Sequence, residues 1–142
     1  KICKALEGMD DTKKRKFLLM NTAGNTNKDA YEKVSFLQNM VLGIIRFLVP
    51  PHADNEQAAE FLRTKLKNSK SVEWTVVRPD TLMNEDEPTE YKVHPSPTRS
   101  AIFNAGKTSR VNVAYFMAEL ISKDIIWEKW KGKMPVLYNK ED

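Results

Sequence analysis

Val72-Glu73-Trp74-Thr75-Val76-Val77-Arg78-Pro79-Asp80-Thr81-Leu82 is a β-branched and aromatic run that stops abruptly at an Arg-Pro pair. Proline has no amide hydrogen to give to a sheet ladder, so the strand ends there and the chain leaves the sheet. In open α/β sheets, ligands sit outside the carboxyl ends of the strands. The exit at Arg78-Pro79 therefore points to a binding crevice.

Upstream of this strand lies a long helical pattern. Ala58, Ala59, Phe61, Leu62 and Leu66 fall on one side, and Asp54 or Asn55 is expected to cap the helix, giving 54–68. Before it, Val34, Leu37, Val41, Ile44, Ile45 and Leu48 predict a helix over 29–49, closed by Pro50-Pro51. Phe17-Leu18-Leu19-Met20 is a short continuous apolar run, which suits a strand buried on both faces over 16–21. The turn formers Asn21 to Asn27 follow it. Lys1 to Leu6 reads as the end of a helix stopped at Gly8.

Downstream, Glu90 to His94 alternates as a half-exposed strand should. Ser109 is an N-cap candidate for a helix over Val111–Ser122, in which Tyr115 and Phe116 read as packing residues. Trp127 and Trp130 share a helical face against the core, and Gly132 ends that turn. Met134 to Tyr138 reads as a late strand at a sheet edge, because it contains a proline. Strands alternating with helices are the signature of βαβ units, so the fold class is α/β with a mainly parallel sheet.

A chain of 142 residues supports one domain with a real core, and 1–142 is read as a single domain. Its net charge of +4 is spread through mixed-sign segments without a basic stripe, which argues against nucleic-acid binding. The apolar run from Phe36 to Val49 is interrupted by Gln38, Asn39 and Arg46 and falls short of the ~20 apolar residues of a membrane span. No signal peptide is visible, and Cys3 is the single cysteine, so a reducing, cytoplasmic setting is expected. Cys3 reads as a small buried hydrophobe.

Chemistry-bearing residues are few. Two histidines and one cysteine do not build a zinc site, so no metal is expected. His52 reads either as a ligand or base, with Asp54, or as part of a helix entrance. Tyr31 and Lys33, two apart, point to different sides of a helix and are not an acid–lysine pair. Asn21-Thr22-Ala23-Gly24 offers a hydroxyl and backbone amides at a strand's carboxyl end, or is simply a polar turn. Arg78 reads either as an anchor for phosphate or carboxylate, or as a strand cap paired with an acid such as Asp80. Arg110, beside Ser109, is as easily a structural pair as a ligand contact.

Taken in order, four segments resemble an atypical short-chain dehydrogenase/reductase of the NmrA-like, NAD(P)H-binding group. Lys16 to Gly24 resembles its fifth strand, and Ala59 to Arg63 followed by Trp74 to Leu82 resembles its next helix and sixth strand. Thr108 to Phe116 resembles its late helix opening, and Gly132 to Val136 its closing strand. The resemblance implies the distal part of a Rossmann-like, doubly wound sheet and NAD or NADP as cofactor, the preference being set by a segment not in this chain. It implies cofactor-binding roles for Asn21, Thr22, Ala23, Gly24, Arg78, Pro79, Asp80, Thr81 and Leu82, and a small-molecule substrate.

Two departures qualify that expectation. The Gly-rich first half that carries the pyrophosphate is absent, so the chain is expected to be a fragment, to be covered at its sheet edge by another segment, or to form a homo-oligomer. No Tyr-x-x-x-Lys stands where the family has it; the chain reads His52-Ala53-Asp54-Asn55-Glu56-Gln57-Ala58. Catalytic residues are therefore not assigned. The readings are an oxidoreductase when complete, a non-catalytic NAD(P) sensor, or a protein-interaction module.

Overall fold

A computed structural model describes residues 2–9, 14–32, 35–48 and 50–140. The elements run α1 (Ile2–Glu7), β1 (Arg15–Met20), α2 (Phe36–Leu48), α3 (Pro50–Lys65), β2 (Val72–Pro79), β3 (Thr81–Met83), β4 (Tyr91–His94), β5 (Lys107–Ser109), α4 (Arg110–Ser122), α5 (Asp124–Trp130) and β6 (Val136–Asn139). The main sheet has strand order β1-β2-β6-β4, and β3 and β5 form a small parallel pair beside it. β1–β2 and β2–β6 are parallel, and β4 adds antiparallel to β6. This is the mainly parallel α/β sheet that the alternation of elements implies.

The period-two register of β2 distributes the core. Val72, Trp74 and Val76 face α3 with Ala59, Leu62, Leu66 and Met134, and the α1 residues Cys3 and Leu6 join that layer. Val77 faces the other way, into Val113, Phe116, Leu120, Trp127, Trp130 and Leu137. Helices thus cover both faces, which is the doubly wound arrangement. Each of these fully buried large side chains contributes on the order of 1.5–3 kcal/mol over leaving it in water.

Four expectations need correction. The helix expected from Asp29 begins at Phe36, because Lys28–Ala30 forms only a 3-10 turn that Tyr31 closes in the left-handed region at φ 50°. Val34, counted in that helical pattern, lies outside the described residues. The following helix begins at Pro50 rather than near Asp54, so Asp54 and Asn55 lie inside α3 and cap nothing. Proline is well suited to a first helical position, where its missing N–H is one of the unpaired donors anyway. The last strand is interior, between β2 and β4. Pro135 precedes it and still takes part in the ladder, accepting from the Arg78 amide at 2.9 Å. Finally, Tyr115 is half exposed, packing edge-on to Tyr91 at 6.4 Å between ring centroids, while Phe116 is buried as expected.

Other readings hold. Ser109 caps α4 through Asn112 N at 3.1 Å, both tryptophans of α5 are buried, and Gly132 turns the chain at φ 69°.

Candidate functional site at the carboxyl ends of the strands

The turn after β1 is fixed against β2 by a ladder that continues beyond the strand. Asn21 N donates to Val77 O and Ala23 N to Pro79 O, each at 2.8 Å. The Asn21 side chain works in both directions: its Nδ2 donates to Asn55 O at 2.8 Å, and its Oδ1 accepts from Thr22 N at 2.9 Å. Gly24 N donates to the Thr22 hydroxyl at 3.3 Å, a local side-chain turn of the kind that Asn and Thr favour. Asn21, Ala23 and Gly24 are buried, and Thr22 is half-buried.

Arg78 falls on the α3 side of β2, in register with Trp74 and Val76, but beyond the end of the apolar layer. Its side chain is fully buried. Nε donates to Met134 O at 2.8 Å, Nη1 to Asn25 O at 2.6 Å, and the guanidinium grips Glu32 with Nη2–Oε1 at 2.6 Å and Nη1–Oε2 at 3.0 Å. A guanidinium fork matches a carboxylate in this bidentate way. The acid partner is Glu32, not Asp80. Arg78 thus clasps the loop Asn25–Glu32 onto the sheet.

Asp80 has a separate task. It is buried, and its carboxylate accepts from Gly106 N at 2.9 Å. Burial pushes its pKa up from the usual carboxylate value, with the amides of Gly106 and Thr81 and the charge of Arg99 pulling it partly back. Its own amide donates to the Thr108 hydroxyl at 3.2 Å, and that hydroxyl donates to Leu137 O at 2.6 Å. Thr81 N donates to Gly106 O at 3.2 Å, which starts the β3–β5 pairing, and Leu82 packs into the α4/α5 core. Arg110 donates to Asn84 Oδ1 at 2.7 Å on the surface, a structural pair.

Beside these turns opens a cavity of about 600 Å³, lined on one side by Ala23, Thr26 and Glu32 and on the other by Thr98, Arg99 and Asn104. Tyr31 stands at its rim, 91% exposed. It lies in no helix, so the expected helical separation from Lys33, itself outside the described residues, does not apply. The side chain of His52 also lies outside the described residues, and His94 packs against the Tyr138 ring at 5.8 Å. Glu32 and Gly106 carry no signal in the sequence, and Thr108 stands there only at the start of the segment that resembles the late helix opening. Glu32 is 46 residues from Arg78 in an irregular loop, and no local pattern announces it. Among the described residues no group of three or more His, Cys, Asp or Glu gathers as a metal site, and no helix is long and apolar enough to cross a membrane.

A mainly parallel sheet wound on both faces, with polar turns converging at the carboxyl ends of its strands, is the arrangement of dinucleotide-binding α/β proteins. The chain belongs to the NAD(P)H-binding family, whose model matches residues 1–124. Its fold is similar to a protein assigned as an NAD-dependent epimerase/dehydratase from Bacillus halodurans, at 23% identity and TM-score 0.54, covering 90% of this chain and 47% of that one. It is also similar to ChuY, an anaerobillin reductase from Escherichia coli O157:H7, at 12% identity and TM-score 0.56, covering 89% and 51%. A short-chain dehydrogenase/reductase from Veillonella parvula, solved in complex with NADP, matches at 16% identity and TM-score 0.50, covering 86% and 49%. The chain thus spans about half the length of these solved structures. No curated protein matches it.

Proposed function

We propose that residues 1–142 are the distal part of one NAD(P)-binding domain, and that the complete protein is an NAD(P)-dependent oxidoreductase of the short-chain dehydrogenase/reductase kind acting on a small molecule in the cytoplasm. The observation that carries the reading is the pair of turns, Asn21–Gly24 and Pro79–Leu82, locked to each other at the carboxyl ends of adjacent parallel strands beside the 600 Å³ cavity. These residues fit the nicotinamide end of a dinucleotide. Thr22 supplies a half-buried hydroxyl, Pro79 holds the backbone close without an ionisable group, and Asp80 fixes the opposite loop. Arg78 serves by holding the Asn25–Glu32 wall. The cofactor supplies hydride chemistry when bound. The exposed apolar stripe of α2, with Phe36, Leu37, Met40 and Ile44, supports cover by the rest of the protein or by a second copy.

Titrating NADPH into the full-length protein, with fluorescence as readout, tests this. Thr22→Ala removes one hydrogen bond, about 0.5–1.5 kcal/mol, and should weaken binding about two- to tenfold. Arg78→Ala should weaken it as well, and both variants should change turnover less than affinity. Unchanged affinity in both would reduce these loops to structural turns. A second reading, a non-catalytic NAD(P) sensor, is favoured by one observation: where the family carries Tyr-x-x-x-Lys this chain reads His52-Ala53-Asp54-Asn55-Glu56-Gln57-Ala58, with no tyrosine and no lysine. Tight NADPH binding without turnover of any carbonyl substrate would select that reading.

A further inference from the structure

We propose that the recess under the Thr98–Gly106 loop holds the carboxylate of the substrate, an assignment that rests on the oxidoreductase reading above. The recess is about 360 Å³, and Thr98 and Arg99 form a wall that it shares with the larger cavity at the strand ends. A substrate reaching from one into the other would place its reacting end near the turns after β1 and β2.

The antiparallel register of β4 and β6 builds the floor. Lys92 stands opposite Tyr138 and His94 opposite Val136, so all four side chains share the face of the sheet that α3 leaves uncovered. Tyr138 is 7% exposed, and its hydroxyl is buried with no hydrogen-bond partner in good geometry. Burial raises its pKa, only partly offset by the backbone and hydroxyl of Thr98 and the backbone of Arg99 that face its oxygen, so the phenol keeps its proton and that proton has no acceptor in good geometry. A buried donor without a partner costs free energy, and a ligand oxygen would relieve it.

The charge count selects the ligand. Lys92, Arg99 and Lys140 bring three positive charges to the recess. Glu90 pairs with Lys140, and Asp80 interacts with Arg99 and Tyr138 through its charge. Lys140 and Arg99 are thus engaged, whereas among the described residues Lys92 makes no ion pair and brings a single positive charge to the recess. That matches a single carboxylate better than a phosphate dianion.

The test uses the full-length protein, with and without saturating NADPH, and isothermal titration of three probes: 4-phenylbutyrate, 4-phenylbutyramide and inorganic phosphate. The carboxylate should bind at least tenfold tighter than its amide and tighter than phosphate. Lys92→Met and Tyr138→Phe should each weaken the carboxylate at least threefold while leaving NADPH affinity unchanged. Tyr138→Phe keeps the ring in place, so its effect reports the hydroxyl rather than the fold. Equal binding of carboxylate and amide, no binding of either, or no response to both variants overturns the assignment, and preference for phosphate overturns the single-charge argument. Carboxylate binding to a protein that fails to bind NADPH would uphold the recess and sink the oxidoreductase reading instead.

Discussion

The two faces of the sheet are closed by different physics. On the α4/α5 side, Val77, Phe116, Leu120, Trp127 and Leu137 make a continuous apolar layer up to the strand ends. On the α3 side, the apolar layer stops at Val76 and Met134, and the next residue in register is the buried Arg78. There the covering element is a loop, held by an ion pair and carbonyls, with only the small apolar cluster of Ala23, Val136 and Tyr138 beside it. A loop held through polar contacts has defined alternatives once a partner is removed, whereas a packed helix has only a cavity. The polar face is also the face on which both cavities open, so the difference divides scaffold from candidate site.

The largest expected effects break that contrast directly. Arg78→Ala leaves the Glu32 carboxylate buried without its partner and should cost about 3–5 kcal/mol in urea unfolding. Trp127→Ala on the packed face should cost a similar ~3–5 kcal/mol by cavity formation. The two losses should respond differently to a second change. Arg78→Met combined with Glu32→Leu should recover most of the stability, because replacing a buried pair by apolar groups is often near neutral. No single partner change should rescue Trp127→Ala. If the Arg78/Glu32 double variant is as unstable as Arg78→Ala, the clasp is not an ion pair in its energetics and the distinction between faces fails.

The same contrast explains what was legible in the sequence. The packed face announces itself through period: Val113, Phe116 and Leu120 recur at helical spacing, Trp127 and Trp130 lie three apart, and Ser109 is a recognisable cap. The exit at Arg78-Pro79 and the turn at Asn21–Gly24 were legible for the same local reason, since proline and turn formers act on their own backbone. The pairing of Arg78 with Glu32 and of Asp80 with Gly106 was not, because each joins segments far apart through loops that carry no period. α3 starts ahead of the expected Asp54 because Pro50, which stops the preceding helix, also lacks the N–H that a first helical position leaves unpaired. The final strand is interior despite Pro135, because that proline lies just outside it.

A smaller effect is expected at Gly106. A Cβ there would stand 2.4 and 2.7 Å from Tyr138 ring carbons, closer than side-chain carbons approach. The ring is buried and cannot swing away freely, so Gly106→Ala should cost about 1–3 kcal/mol through overpacking. The strain falls on the polar face, where it should also loosen the Asp80–Gly106 bond and the wall shared by the two cavities. Gly106→Ala with Tyr138→Leu should regain part of the loss. An unchanged midpoint in the single variant would mean that this face yields readily, and that its loops are less firmly held than their hydrogen bonds suggest.

The smallest effect concerns pH, and here the faces should differ in sign. Glu73 is the carboxylate that serves the packed face, accepting from Trp127 Nε1 at 2.7 Å. That hydrogen bond, aided by the charges of Lys131 and Lys14, holds its pKa below the ordinary value of 4.5. A depressed folded pKa gives stability that is present above 4.5 and lost as pH falls through the folded value. Asp80 on the polar face has a folded pKa raised above 3.8 by burial, so its contribution weakens as pH rises from 3.8 through the folded value. Glu73→Gln keeps an acceptor for the indole and removes only the charge. Unfolding of Glu73→Gln and the parent protein at pH 7, 4.5 and 3 should show the variant slightly weaker at pH 7, with the gap closing by pH 3 as Glu73 becomes neutral. Asp80→Asn should behave oppositely, its relative stability improving from pH 3 to pH 7. Parallel pH profiles for the two variants would remove the electrostatic half of the comparison and leave packing alone to distinguish the faces.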